Sequence, residues 1–71
     1  FSAIAAPESL NAREIECLQL VGNGMKSEAI GEALPLSVHT VNAYLGSATT
    51  KLDAVNRIQA IAKAIRIGLI G

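Results

Sequence analysis

Of the side chains that do acid–base, metal or nucleophilic chemistry, this sequence offers a single histidine, His39, and a single cysteine, Cys17. No metal cluster and no Ser–His or Cys–His dyad can be assembled from that set, so no catalytic residue, no enzymatic activity and no cofactor is expected. A lone cysteine in a helical pattern reads as a small core residue. It excludes an internal disulfide and fits a reducing, cytoplasmic compartment. The remaining chemistry is hydrogen bonding, concentrated in residues 37–52, SVHTVNAYLGSATTKL. At about 100° per residue, Val41, Leu45, Ala48 and Leu52 form one narrow apolar stripe. His39, Ala43, Gly46 and Thr50 point the opposite way, flanked by Asn42 and Ser47. That outward side has no acid and no long chain, whereas an ordinary solvated face holds Glu and Lys, which favour helix and solubility. Gly46 also costs about 0.5–1 kcal/mol relative to Ala inside a helix. Close approach of a nucleic acid groove would explain both features; drift on a tolerant exposed face is the plainer alternative for the glycine.

The chain that must hold this helix is short. Its 71 residues suffice for one small domain, near the lower limit at which a core holds without staples. An apolar content of 51% argues for a folded domain, and with Phe1 and Tyr44 the only aromatics the core must be built from Leu, Ile, Val and Ala. Phe1 stands where an initiator Met would be, and FSAIAAP lacks a basic n-region. Residues 1–9 therefore read as the end of a linker rather than a signal peptide, with one domain over 10–71. No apolar run approaches the roughly 18–20 residues that span a bilayer, and Lys63 and Arg66 break the greasy C-terminal stretch, so a soluble chain with no membrane partner is expected. The formal net charge is zero, but it is unevenly distributed. Residues 1–37 carry Arg13 and Lys26 against Glu8, Glu14, Glu16, Glu28 and Glu32; residues 38–71 carry Lys51, Arg57, Lys63 and Arg66 against Asp53. A partner with phosphates would be met by the second half.

Helical spacing recurs throughout and convincing period-2 alternation does not, which predicts an all-α fold of four helices. The first begins at Asn11, an N-cap with Glu14 placed for a capping box and Leu10 and Ile15 placed for a hydrophobic staple. Ile15, Leu18 and Val21 share its face, and Gly22 and Gly24 stop it. A short second helix runs from about Ser27 to Leu34 with Ala29, Ile30, Ala33 and Leu34 inward; Pro35 ends it. Ser37 caps the third helix, over about residues 38–53. Asn56 caps the fourth, with Gln59 completing a second capping box. In that fourth helix Ile58, Ile61, Ala62, Ile65 and Leu69 read as the core stripe. Ala60, Ala64 and Ile67 lie opposite, with Lys63 between, and those small residues suit a two-fold pairing. Arg57, disfavoured by the dipole at a helix start, is expected to pair with a carboxylate such as Glu14.

The short second helix, tight turn and longer third helix read as a helix-turn-helix, whose second helix enters the major groove. The motifs LNARE (10–14), EAIG (28–31), LSVHTVN (36–42) and KLDAVNR (51–57) resemble, in order and spacing, the DNA-binding domain of LuxR/GerE-type bacterial transcription regulators. The ending AIAKAIRIGLI (60–70) is similar to that of quorum-sensing members. The resemblance covers about residues 10–70. It implies a four-helix domain without a wing, sequence-specific binding to duplex DNA, and homodimerisation through the fourth helix by Ala60, Lys63, Ala64 and Ile67. It also implies a missing N-terminal sensory domain, which in one branch binds an acyl-homoserine lactone and in another is a phosphorylated receiver. RNA polymerase is a further partner the family would bring.

Several positions depart from the family's pattern. Asn42 stands where Lys is common, Gly46 where Lys or Arg is frequent, Tyr44 where His is usual, and Pro35 replaces the turn glycine, so that turn should need a different backbone. Base reading then falls to Asn42, which can pair with adenine N6 and N7, to Ala43 against a thymine methyl, and to His39, with Gly46 permitting close approach. Backbone contacts are expected from Lys26 and Ser27 at the start of the second helix, and from Thr40, Tyr44, Ser47, Thr50 and Lys51 along the third. Tyr44 has a second reading as a ring that covers the core edge. The rival assignments are the DNA-binding domain of a receiver-type response regulator, region 4 of a sigma factor, and a helical protein-interaction module with no DNA role.

Overall fold

The computed structural model describes residues 10–71, so the linker expected over residues 1–9 lies outside the described residues. Within them are four helices and no strand: α1 (Ala12–Gly22), α2 (Ser27–Ala33), α3 (Val38–Lys51) and α4 (Arg57–Arg66). Each start that carries a capping residue uses it. The Asn11 side chain accepts the Glu14 N–H at 2.9 Å while the Glu14 carboxylate accepts the Asn11 N–H at 2.8 Å, closing the expected capping box. Ser37 Oγ accepts the Thr40 N–H at 3.1 Å. Asn56 accepts the Gln59 N–H at 2.8 Å, but Gln59 Oε1 reaches one residue further back, to the Val55 N–H at 2.7 Å. The second box therefore closes on the residue before the cap.

All four helices end in the same left-handed turn. The N–H groups of Met25, Leu36, Ala54 and Leu69 donate back to the carbonyls of Leu20, Gly31, Thr49 and Ala64 at 2.8–3.1 Å. The residue preceding each of these donors has positive φ: Gly24 (93°), Pro35 (29°), Asp53 (56°) and Gly68 (79°). Gly22, expected to help stop α1, is its last helical residue; Gly24 makes the stop. Pro35 was expected to bring a different backbone. Instead the turn keeps the conformation glycine favours, and proline, whose ring fixes φ near about −65°, is held at +29° without an N–H to complete the second bond.

α3 packs against each of the other three helices. Its predicted stripe is the centre of the core: Val41, Leu45, Ala48 and Leu52 are buried against Leu10, Cys17, Leu18, Ile30, Ala60, Ala64 and Ile70. On α1 the buried face centres on Glu14, Cys17 and Leu18, with Ile15 and Val21 half-buried beside it. On α2 the expected inward set is shifted: Ala29 and Ala33 are exposed, while Ile30 and Gly31 are buried. The cause is close packing at the turn, since a Cβ at Gly31 would stand 2.6 Å from the Leu36 carbonyl oxygen.

The fourth helix is turned relative to expectation. Ala60 and Ala64, assigned to a dimer face, are fully buried, whereas Ile58 is 82% and Ile65 52% exposed. Both the alanine and the isoleucine stripe satisfy a helical period, so periodicity does not choose between them. Close approach of α4 does, because small side chains let its backbone nest on the core. Lys63, assigned to the same dimer face, is half-buried and donates to the Asp53 and Leu52 carbonyls at 2.7 and 3.4 Å. There it places a cation at the C-terminus of α3, where the helix dipole favours it. Only Ile67 of that set is exposed, at 46%.

Candidate nucleic-acid interface

Burying Val41, Leu45 and Ala48 leaves the opposite side of α3 to solvent, and His39, Asn42, Ala43, Gly46 and Thr50 are all exposed there. A Cβ at Gly46 would meet no heavy atom within 4 Å, so nothing inside the domain requires a glycine. The face therefore offers one amide, one imidazole, one hydroxyl and two positions with almost no side chain. Such a surface admits another molecule close to the helix backbone and can hydrogen-bond it through Asn42.

The flanks differ from expectation. Thr40 is half-buried, and its N–H and hydroxyl are both bonded to Ser37. Tyr44 is half-buried and packs on the core, as its second reading held. Ser27, expected on a phosphate, instead donates its hydroxyl proton to Asn42 Oδ1 at 2.7 Å. No sequence signal pointed to that pair, because the two residues meet only once α2 folds onto α3.

A charged contact fixes α3 on α1. Glu14 is 1% exposed, and Lys51 Nζ lies 3.0 Å from its carboxylate, the lysine side chain being 35% exposed. Burial pushes the Glu14 carboxyl up, but the Ser47 hydroxyl, the Asn11 N–H and the Lys51 ammonium outweigh it and hold its pKa below the ordinary 4.5. The first turn of α1 adds a favourable dipole. Glu14 thus takes Lys51 as its partner rather than the expected Arg57, and Lys51, expected on a phosphate, is engaged inside the domain, while Ser47 is half-buried. Arg13 pairs with Glu16 at 3.2 Å. Among the described residues Lys26, Arg57 and Arg66 are exposed without an ion pair. The basic second half is accordingly less available to phosphates than its charge count suggests. Cys17 behaves as a core residue: burial, with Glu16 nearby, pushes its thiol up, away from the reactive thiolate.

Comparison with known proteins places these features in context. The profile of the family described as bacterial regulatory proteins, luxR family, matches residues 8–64. The transcriptional activator protein SolR of Ralstonia nicotianae is 46% identical over 67 residues, covering 90% of this chain and 28% of the relative. The HTH-type quorum sensing-dependent transcriptional regulator VjbR of Brucella ovis is 39% identical over 61 residues, 86% of this chain and 24% of the relative. The transcriptional activator protein AhyR of Aeromonas hydrophila is 40% identical over 63 residues, 89% of this chain and 24% of the relative. The chain thus spans about a quarter of the length of the curated relatives it matches. No helix among the described residues is long and apolar enough to cross a membrane.

Proposed function

The chain belongs to the luxR family of bacterial regulatory proteins, and from that premise we propose that it binds duplex DNA sequence-specifically with α3 in the major groove. The observation that carries this reading is the outward side of α3, open to solvent, free of acids and bare at Gly46 although nothing inside the domain needs a glycine. Asn42 is the main base reader, its amide suited to adenine N6 and N7. Ala43 meets a thymine methyl, and His39 reaches an edge or a phosphate. Lys26, Thr50 and the Tyr44 hydroxyl lie toward the sugar-phosphate backbone.

The DNA-bound form is a dimer paired through α4, by a face other than the alanine one. Ile58 and Ile65 are 82% and 52% exposed, and Ala62 lies exposed between them, an unpartnered apolar stripe at helical spacing, with Val55, 82% exposed, just before the helix. The name of VjbR, a quorum sensing-dependent transcriptional regulator, favours the quorum-sensing branch over a receiver-type response regulator. In that branch an acyl-homoserine lactone would act on sequence outside this chain, and RNA polymerase would be a further partner in the cytoplasm.

Selection of bound duplexes from a random pool, followed by Asn42→Ala, tests the reading. The variant should lose about 1–3 kcal/mol on the selected site and little on unrelated duplexes. An equal loss on every duplex would remove Asn42 from base reading. A helical protein-interaction module, favoured by the internal engagement of Lys51 and Lys63, would select no duplex and would lack the salt dependence of phosphate neutralisation.

A further inference from the structure

We propose that Ser27 governs the sequence preference of this interface without touching DNA, by holding the Asn42 amide in the attitude that reads a base; this rests on Asn42 being the base reader. The Ser27 hydroxyl donates to Asn42 Oδ1 at 2.7 Å across 15 residues of sequence. Among the described residues it is the side-chain to side-chain hydrogen bond that joins the two helices of the helix-turn-helix. Serine near a helix start ordinarily satisfies a free backbone N–H. Here Lys26 occupies the N-cap and no side chain caps α2, so the Ser27 hydroxyl serves the tertiary contact instead.

An exposed asparagine amide rotates broadly about its terminal torsion, and its carbonyl and amino ends have opposite hydrogen-bonding sense. On α3 no other side-chain bond orients Asn42 among the described residues. The Ser27 proton occupies one lone pair of Oδ1 and leaves the second lone pair and both Nδ2 hydrogens. An adenine edge needs that complement, an acceptor for N6–H beside a donor to N7. The donor is itself fixed, because Ser27 sits on a helix anchored by buried Ile30 and by Gly31 packed on the Leu36 carbonyl. The first helix of the motif thereby sets how the second one reads. Ser27 is a positioning residue for Asn42, in place of the phosphate contact that its sequence position suggested.

The test uses Ser27→Ala, Ser27→Thr, Asn42→Ala and the Ser27→Ala/Asn42→Ala double variant. Each is assayed on the selected duplex, on the same duplex changed at the base pair Asn42→Ala ceases to discriminate, and on an unrelated duplex. Ser27→Ala should lower discrimination at that base pair about two- to tenfold, the range of one neutral hydrogen bond. It should leave the unrelated duplex unchanged and have no further effect in the Asn42→Ala background, and Ser27→Thr should restore discrimination. In the free protein, Ser27→Ala should shift the Asn42 side-chain amide resonances, a readout that a phosphate contact would not give. Uniform weakening on all duplexes that persists in the Asn42→Ala background would make Ser27 a phosphate contact and overturn the inference, with Asn42 still the reader. Unchanged discrimination would overturn it equally. If Asn42→Ala altered no base preference, the underlying reading would fail and this inference with it.

Discussion

Replacing Gly46 by alanine separates the demands of folding from those of binding. Inside the domain every physical consideration favours the alanine. Gly46 lies in the interior of α3, and its added Cβ would find no heavy atom within 4 Å. The backbone entropy recovered should stabilise the fold by about 0.5–1 kcal/mol. For a domain of this size that is a rise in Tm of about 2–8 °C, read by thermal unfolding followed by circular dichroism. On DNA the same methyl enters a space that a base edge is proposed to fill. Forcing an extra methyl into a packed contact costs about 1–3 kcal/mol, which is about a 5- to 150-fold rise in Kd by fluorescence anisotropy on the selected duplex. Gly22→Ala is the control: it is also a helical glycine, its Cβ would make ordinary contacts with Ile70 and Ile61 at 3.6 and 3.8 Å, and it lies on α1 away from the face. It should leave DNA affinity unchanged. A Gly46→Ala protein that is more stable and binds as tightly as the parent would refute the reasoning, leaving drift as the explanation of the glycine.

Further perturbations test the frame that holds α3. Glu14→Gln should destabilise the domain by about 1–3 kcal/mol at neutral pH, the worth of hydrogen bonds to a charged group. Because the folded pKa of Glu14 is lowered from 4.5, its contribution is full above that value and is lost as pH falls through the folded pKa. The stability gap between parent and variant should therefore narrow in acid, and parallel unfolding curves from neutral to acid pH would contradict the Lys51 pairing. Pro35→Gly should stabilise: removing a strained left-handed residue recovers about 1–3 kcal/mol, against about 0.4–1 kcal/mol of chain entropy. Gly31→Ala should do the reverse, since its Cβ would press on the Leu36 carbonyl, and urea midpoints check both. Ile58→Glu should alter monomer stability by no more than about 0.5 kcal/mol yet weaken binding to a duplex with two half-sites, with single half-site binding unchanged. Equal affinity for both duplexes in parent and variant would remove α4 from dimerisation.

Local signals in the sequence decide the structure where one physical cause dominates. Asn11, Ser37 and Asn56 each stand before a helix with the side-chain oxygen that a free N–H requires, and each caps as expected. The stripe of Val41, Leu45, Ala48 and Leu52 had no competitor on α3, so both its burial and the exposure of His39, Asn42, Ala43 and Gly46 were legible. α4 carried apolar residues on two sides, and there only the fit of small alanines against α3 and α1 decides which is buried. Contacts between distant residues were the least legible. Arg57 was expected to find a carboxylate such as Glu14, but that Lys51 and not Arg57 reaches it depends on how the last turn of α3 crosses α1. The Ser27–Asn42 bond and the left-handed Pro35 likewise follow from the packing of α2 on α3, where a residue's type alone says nothing about its neighbour.

Backbone and side-chain amide shifts of isotope-labelled protein, followed while the selected duplex is added, address the vacancy on α3 most directly. The largest changes should fall on His39, Asn42, Ala43, Gly46 and Thr50, with Lys26 beside them and with the exposed side of α1 unmoved. Silence at those positions while other surfaces respond would mean that DNA does not occupy that side of the helix.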